Sequence, residues 1–202
     1  MVPEKIFSLS WGEAVRLCYD LAMRVHESGY MPDAIVAVLR GGVLPALIIS
    51  DVLGVDEFYA VRARHWRIGE ELYPEPIIEQ LPQGKVEGRR LLVVDEVVDT
   101  GKTLAAVVKE LRRAGAEVVR SAVLHVKPAA AYEPNYYAVR LREWVWIFYP
   151  WSLIETIYSL AREEEGDLLE RAKSMAWAIT KERPLPEVLA AGITNYIMRE
   201  RP

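Results

Sequence analysis

Between Val94 and Leu104 the chain reads V-D-E-V-V-D-T-G-K-T-L, and these residue types at this spacing could do chemistry. Asp95 and Glu96 set two carboxylates side by side, Asp99 adds a third, and Thr100, Gly101, Lys102 and Thr103 follow without a break. Adjacent carboxylates can accept hydrogen bonds from vicinal hydroxyls, and such charge-assisted bonds are strong. Two hydroxyls, a lysine and the free backbone N–H groups of a helix N-terminus can converge on a phosphate. The two halves together suit a ligand that carries a diol close to a phosphate, namely a ribose 5-phosphate.

The elements that must hold these groups are readable on either side. Leu91 to Val94 is a continuous apolar run with a β-branched end, which fits a strand buried on both faces of a parallel sheet, with Asp95 and Glu96 at its carboxyl end. From Thr103 onward Leu104, Val107, Val108 and Leu111 recur at helical spacing and Gly115 provides a stop, so Thr100 to Thr103 cover a helix N-terminus. A Gly-Lys-Thr after a strand also invites a nucleoside-triphosphate loop. That loop needs a glycine five residues before its second glycine, where this chain has Glu96.

The segment resembles the 5-phosphoribosyl-1-pyrophosphate (PRPP) motif of the type I phosphoribosyltransferases. The resemblance implies that Asp95 and Glu96 hold the ribose hydroxyls and that Thr100, Gly101, Lys102 and Thr103 bind the 5-phosphate. It places Asp99 beside the imidazole ring of a purine, as general base. Magnesium is the implied cofactor, reached by Asp95 and Glu96 through ribose hydroxyls or water.

Three other stretches join this one. Ala34 to Leu39 reads as a buried strand, and Arg40-Gly41-Gly42 leads from it into a helix over Val43 to Leu53 that ends at Gly54. A basic residue and paired glycines between strand and helix form an anion site. L-R-G-G also resembles the pyrophosphate loop of the 6-oxopurine transferases, which implies a cis peptide between Leu39 and Arg40. Glu117 to Val126 reads as a further strand, and Lys127 stands just past it, at the edge where open α/β sheets bind ligands. Its context, H-V-K-P-A, resembles that of the family lysine that donates to the purine 6-oxo group. Trp144 to Trp151, W-V-W-I-F-Y-P-W, could fill a core, but its W-I-x-x-P-W portion resembles the base-binding hood of the same enzymes. By position Trp146 would stack on the purine and the backbone of Ile147 would meet its Watson–Crick edge. Ser152 stands where the family commonly has an acid near a divalent metal, so the metal lacks that support or Glu155 reaches toward it.

Elsewhere Ser10-Trp11-Gly12-Glu13 has the form of a capping box, opening a helix closed by Gly29 with Cys18 on its apolar face. Glu57 to Arg64 has strand character. Residues 65–88, with His65 and Trp66 near their start, lose periodicity and collect Pro and Gly, as a functional connection does; in the resembled family a loop here closes over the active site. Beyond Ser152 the resemblance fades into three helical segments, Leu153 to Arg162, Leu168 to Thr180 and Leu185 to Met198, expected to cover the hood or a neighbouring subunit.

Composition narrows the classes. The chain has 202 residues, 51% hydrophobic and 27% charged, the balance of an ordinary globular protein, and a net charge of −4 argues against general nucleic-acid binding. A single cysteine excludes an internal disulfide, and no apolar run has the length of a membrane span or the form of a signal peptide, so a cytoplasmic protein is expected. Gln and Asn occur twice each, which leans toward a thermophilic source. The expected architecture is α/β: a parallel β-sheet flanked by helices (the type I phosphoribosyltransferase fold), a C-terminal aromatic hood, and a helical tail, divided as 1–152 and 153–202. The resemblance spans residues 34–152. It implies transfer of phosphoribosyl from PRPP to a 6-oxopurine base, giving a nucleoside 5′-monophosphate and pyrophosphate, by a homodimer or higher homo-oligomer. An adenine-specific transferase, a pyrimidine-base transferase and a PRPP-sensing regulator on the same fold remain as alternatives at this level.

Overall fold

The computed structural model describes residues 6–64, 66–67, 70–71, 75–82, 85–162, 165–180 and 186–200. They form two compact units, residues 15–144 and residues 1–14 together with 145–202. His65 lies outside the described residues.

Strand β1 (Ile6–Ser8) precedes helix α1 (Trp11–Glu27). The Ser10 hydroxyl accepts from the Glu13 N–H at 3.2 Å while Glu13 Oε2 accepts from the Ser10 N–H at 2.8 Å, the reciprocal bonds that the S-x-x-E spacing foretells. The apolar face of α1, including Cys18, Leu21, Ala22 and Val25, is fully buried. Burial pushes the Cys18 thiol up to about 12, so it stays an inert apolar filler.

The sheet unit is built from β2 (Ala34–Leu39), α2 (Val43–Leu53), β3 (Phe58–Arg64), β4 (Trp66–Arg67), β5 (Glu70–Glu71), β6 (Ile77–Gln80), β7 (Arg90–Val98), α3 (Lys102–Arg113), β8 (Val118–Val126) and β9 (Tyr136–Arg140). Its main sheet has the order β6-β3-β2-β7-β8-β9 and is parallel except for β6, which runs antiparallel to β3 at one edge. The region expected to be irregular therefore contains this edge strand and the small β4–β5 ladder. Both strands beside β7 are parallel to it, and Leu91, Leu92, Val93 and Val94 are fully buried, which is why a run with no polar alternation forms this strand. Leu104, Val107, Val108 and Leu111 of α3 share one core cluster with Val36, Leu91, Val93 and Val123. Helix α2 packs on β2 and β7.

Strand β7 is longer than the apolar run predicts. It stays paired with β8 as far as Val98, opposite Val126, so Asp95 and Glu96 lie within the strand rather than past its end. The ladder bonds of β8 hold the backbone extended even where the side chains turn acidic.

In the other unit β10 (Trp146–Phe148) pairs in parallel with β1, and the Leu9 N–H extends that ladder to the Phe148 carbonyl. A 3-10 turn (Pro150–Ser152) leads to α4 (Leu153–Ala161), α5 (Leu168–Thr180) and α6 (Pro186–Glu200), which pack on one another. Gly192 brings α6 so close to α4 that a Cβ there would meet Ile154. Among the described residues no helix is long and apolar enough to cross a membrane.

Leu111 is fully buried beneath the sheet, so Leu111→Ala is expected to lower unfolding stability by about 2–5 kcal/mol. Denaturant titration checks this; a loss under 1 kcal/mol would mean that α3 is not packed as described.

Candidate functional site

Strand order creates the site. From β2 the chain passes through α2 to β3 on one side, while from β7 it passes through α3 to β8 on the other, so β2 and β7 are neighbours whose connections diverge. A crevice outside the carboxyl ends of such a strand pair is where open α/β sheets take ligands. Arg40, Gly41 and Gly42 leave the end of β2; Asp95 and Glu96 lie on β7 beyond its last pair with β2, and Asp99 and the Thr100–Thr103 segment follow the end of β7.

The two loops are in contact. A Cβ on Gly41 would overlap the Glu96 carboxyl group, and one on Gly42 would overlap the Val94 and Val38 carbonyl oxygens, so close approach of these backbones requires glycine. The Leu39–Arg40 peptide is cis, as the resemblance implies.

Helices α2 and α3 both begin here, each with a glycine at its N-cap, no side-chain capping bond and no acid in its first turn. Their positive dipole ends and spare N–H groups thus remain available to anions. Gly101 has φ of +88°, a left-handed turn that aims the start of α3, and its backbone lies against Tyr132. The Lys102 N–H is 3.5 Å from Thr100 Oγ1, and Lys102 and Thr103 open the first turn of the helix.

Glu96 lies against Gly41, just ahead of α2, and Asp95 precedes it on β7. Burial of its carboxyl group holds Asp95 well above the usual carboxylate range, and the neighbouring Glu96 charge adds to this. One bond opposes the shift, from the Glu96 N–H to Asp95 Oδ1 at 2.8 Å.

Asp99 and Lys127 are brought together. Lys127 Nζ donates to Asp99 Oδ2 at 2.8 Å, and the Lys127 N–H donates to the Val98 carbonyl, binding the two loops side by side. Lys127 is buried, and its ammonium lies 4.2 Å from the centre of the Trp144 ring. Neither Trp144 nor Tyr132 was expected near these groups; the W-I-x-x-P-W resemblance gives Trp146 the role toward the base instead. His125 is a buried strand residue whose imidazole is pushed down to about 4 by burial, consistent with a structural place in β8.

Trp146 and Ile147 belong to β10 in the other unit, Ile147 buried and Trp146 partly so. The Ser152 hydroxyl donates to the Tyr149 carbonyl at 3.1 Å, closing the turn before α4. No group of three or more His, Cys, Asp or Glu that could hold a metal occurs among the described residues. An open cavity of about 560 Å³ lined by Glu57, Tyr59, Lys85, Glu87 and Arg89 lies at the amino-terminal ends of β3 and β7, away from all of these groups.

Residues 9–155 match the family described as phosphoribosyl transferase domain. A xanthine-guanine phosphoribosyltransferase of Cereibacter sphaeroides is 33% identical over 160 residues, covering 74% of this chain and 89% of that protein. The crystal structure of a purine phosphoribosyltransferase from Pyrococcus horikoshii superposes with a TM-score of 0.63 at 34% identity, over 73% of this chain and 93% of that one. A hypothetical protein from Neisseria gonorrhoeae with bound ppGpp gives a TM-score of 0.64 at 26% identity, over 88% of this chain and 98% of that one.

The raised pKa of Asp95 sets a sign for stability. Its folded form holds a proton more tightly than the unfolded chain, so stability is lost as pH rises from about 3.8 through the folded value. Asp95→Asn keeps the acceptor for the Glu96 N–H and removes the charge. It is expected to raise the unfolding midpoint at pH 8 while leaving it near wild type at pH 4. Thermal melts between those limits check this, and a difference that does not grow with pH would contradict it.

Proposed function

The chain belongs to the phosphoribosyltransferase family, and on that premise we propose that it transfers phosphoribosyl from PRPP to a 6-oxopurine base, releasing pyrophosphate and a nucleoside 5′-monophosphate in purine salvage. The observation that carries this reading is the Lys127–Asp99 pair beside the acidic end of β7. A 6-oxopurine presents along one edge an acceptor at O6 and, in its N7–H tautomer, a donor at N7. An ammonium and a carboxylate 2.8 Å apart offer the complementary donor and acceptor. Adenine would set its 6-amino donor against the ammonium, so the same pair disfavours it.

The substrate's own charges match the crevice. The 5-phosphate of PRPP suits the start of α3 with Thr100, Gly101, Lys102 and Thr103, its pyrophosphate suits Arg40, Gly41 and the start of α2, and the diol between them suits Asp95 and Glu96. As the bond from C1 to pyrophosphate stretches, the sugar gains oxocarbenium character, which the carboxylates of Asp95, Glu96 and Asp99 stabilise. N9 of the base attacks C1, the leaving pyrophosphate keeps the bonding electron pair, and Asp99 takes the proton from N7. Lys127 meanwhile balances charge that drifts onto O6.

Magnesium fits this donor set. Two adjacent carboxylates without a closed protein cage suit an ion that keeps water and shares substrate oxygens, and Asp95 and Glu96 would hold it through sugar hydroxyls or water. When bound it would neutralise pyrophosphate charge. Ser152, turned to the Tyr149 carbonyl, offers that ion no carboxylate. The roles of Trp146 as stacking partner and of the Ile147 backbone toward the base rest on the resemblance alone.

A homodimer or higher homo-oligomer in the cytoplasm completes the proposal. Support for assembly comes from α2, where Leu47 is 56% exposed on a helix with a single charged residue, Asp51. We place the catalytic portion within 1–152 and treat 153–202 as an appended helical tail. A second reading, a regulator that binds PRPP or a guanosine polyphosphate without turnover, is favoured by the neisserial likeness with its bound ppGpp.

One assay separates the readings: PRPP and magnesium with hypoxanthine, guanine, xanthine or adenine. Nucleotide formation from the 6-oxopurines, and little from adenine, is expected. PRPP binding without turnover of any base would support the regulator. In the active enzyme Asp99→Ala is expected to lower kcat by roughly 10²–10⁴-fold with PRPP affinity changed only a few-fold; equal losses in both would refute the base assignment.

A further inference from the structure

We propose that Trp144 is a positioning residue for the base: its indole face fixes the Lys127 ammonium at the point where the 6-oxo group arrives. The inference rests on the transferase reading above and adds a residue to it.

Lysine carries its charge on a flexible four-carbon stem with three rotatable donors, so an ammonium that must meet one oxygen has to be restrained. Two groups restrain this one. Asp99 Oδ2 accepts from it at 2.8 Å, and the Trp144 ring centroid lies 4.2 Å away, well inside the range of a cation–π attraction. Lys127 itself is 6% exposed, whereas Trp144 is 47% exposed, so filling a core does not account for the tryptophan.

The two restraints behave differently during the reaction. When Asp99 takes the N7 proton its charge disappears and the ionic attraction on Lys127 goes with it. The quadrupole of the indole does not titrate. Trp144 therefore keeps the ammonium in place at the stage where charge has moved onto O6 and the other restraint has weakened. This role belongs to the base half of the reaction and leaves PRPP binding alone.

Wild type, Trp144→Phe and Trp144→Leu are compared in steady state with hypoxanthine and guanine, alongside PRPP affinity by calorimetry. Trp144→Leu is expected to lower kcat/KM for the base by roughly five- to thirty-fold with PRPP affinity within two-fold, and Trp144→Phe, which keeps a π face, to recover most of the loss. Unchanged kcat/KM in Trp144→Leu, a parallel fall in PRPP affinity, or equal loss in both variants would overturn the proposal. A readout independent of turnover is the ε-CH2 resonance of Lys127 in ¹³C-lysine-labelled protein, assigned with Lys127→Arg. The indole ring current should move it upfield in wild type and not in Trp144→Leu. An active wild type without that shift overturns the assignment of Trp144 alone. A shifted resonance in a protein that turns over none of the four bases overturns the transferase reading, and with it the role given to Trp144.

Discussion

Two carboxylates on consecutive residues, within a strand that β8 still pairs after its ladder with β2 has ended, form a concentration of like charge that the fold has to accommodate. Burial and repulsion push Asp95 toward its neutral form, so ionising it in the folded protein carries a cost. The surroundings answer this charge. Two helix starts point their positive ends into the same crevice, neither with an acid in its first turn. Lys127 sits beside Asp99 instead of in solvent. Local conflicts of this kind are expected where function rather than stability sets the residues.

Topology explains why these groups meet. Strands β2 and β7 are neighbours, yet the chain leaves them toward opposite edges, and this divergence opens the crevice. The glycines close to it are required by the approach of one loop to another: Gly41 against Glu96, Gly42 against the end of β7. Any larger residue at Gly42 would press on backbone carbonyls that cannot swing aside, whereas the neighbour of Gly41 is the far end of a side chain. The two glycines are thus unequal in what they constrain, even though they are adjacent in sequence.

Much of this was legible from the residues because it is local. The bounds of β2 and α2 coincide with those read from apolar runs and glycine stops, and the capping bonds of Ser10 and Glu13 follow directly from their spacing. The cis bond at Leu39–Arg40 was reached through resemblance, not through local physics. What escaped the reading depends on partners distant in sequence. Strand β7 continues through its acids because β8 supplies ladder bonds, β6 becomes an antiparallel edge because β3 is there to receive it, and β9 forms where β8 offers it a parallel partner. Trp144 escaped for the same reason, since nothing in E-W-V-W says that its ring will lie over a lysine seventeen positions earlier in the chain.

The parallel ladder between β1 and β10 joins segments separated by most of the polypeptide. On a ribosome, Ile6–Ser8 emerges long before its hydrogen-bonding partner exists and must wait as an unpaired edge while the main sheet assembles. The aromatic segment around Trp146 is therefore among the last parts to acquire its final backbone pairing, so a nascent chain arrested ahead of it would carry the main sheet complete and the β1 strand still without a partner.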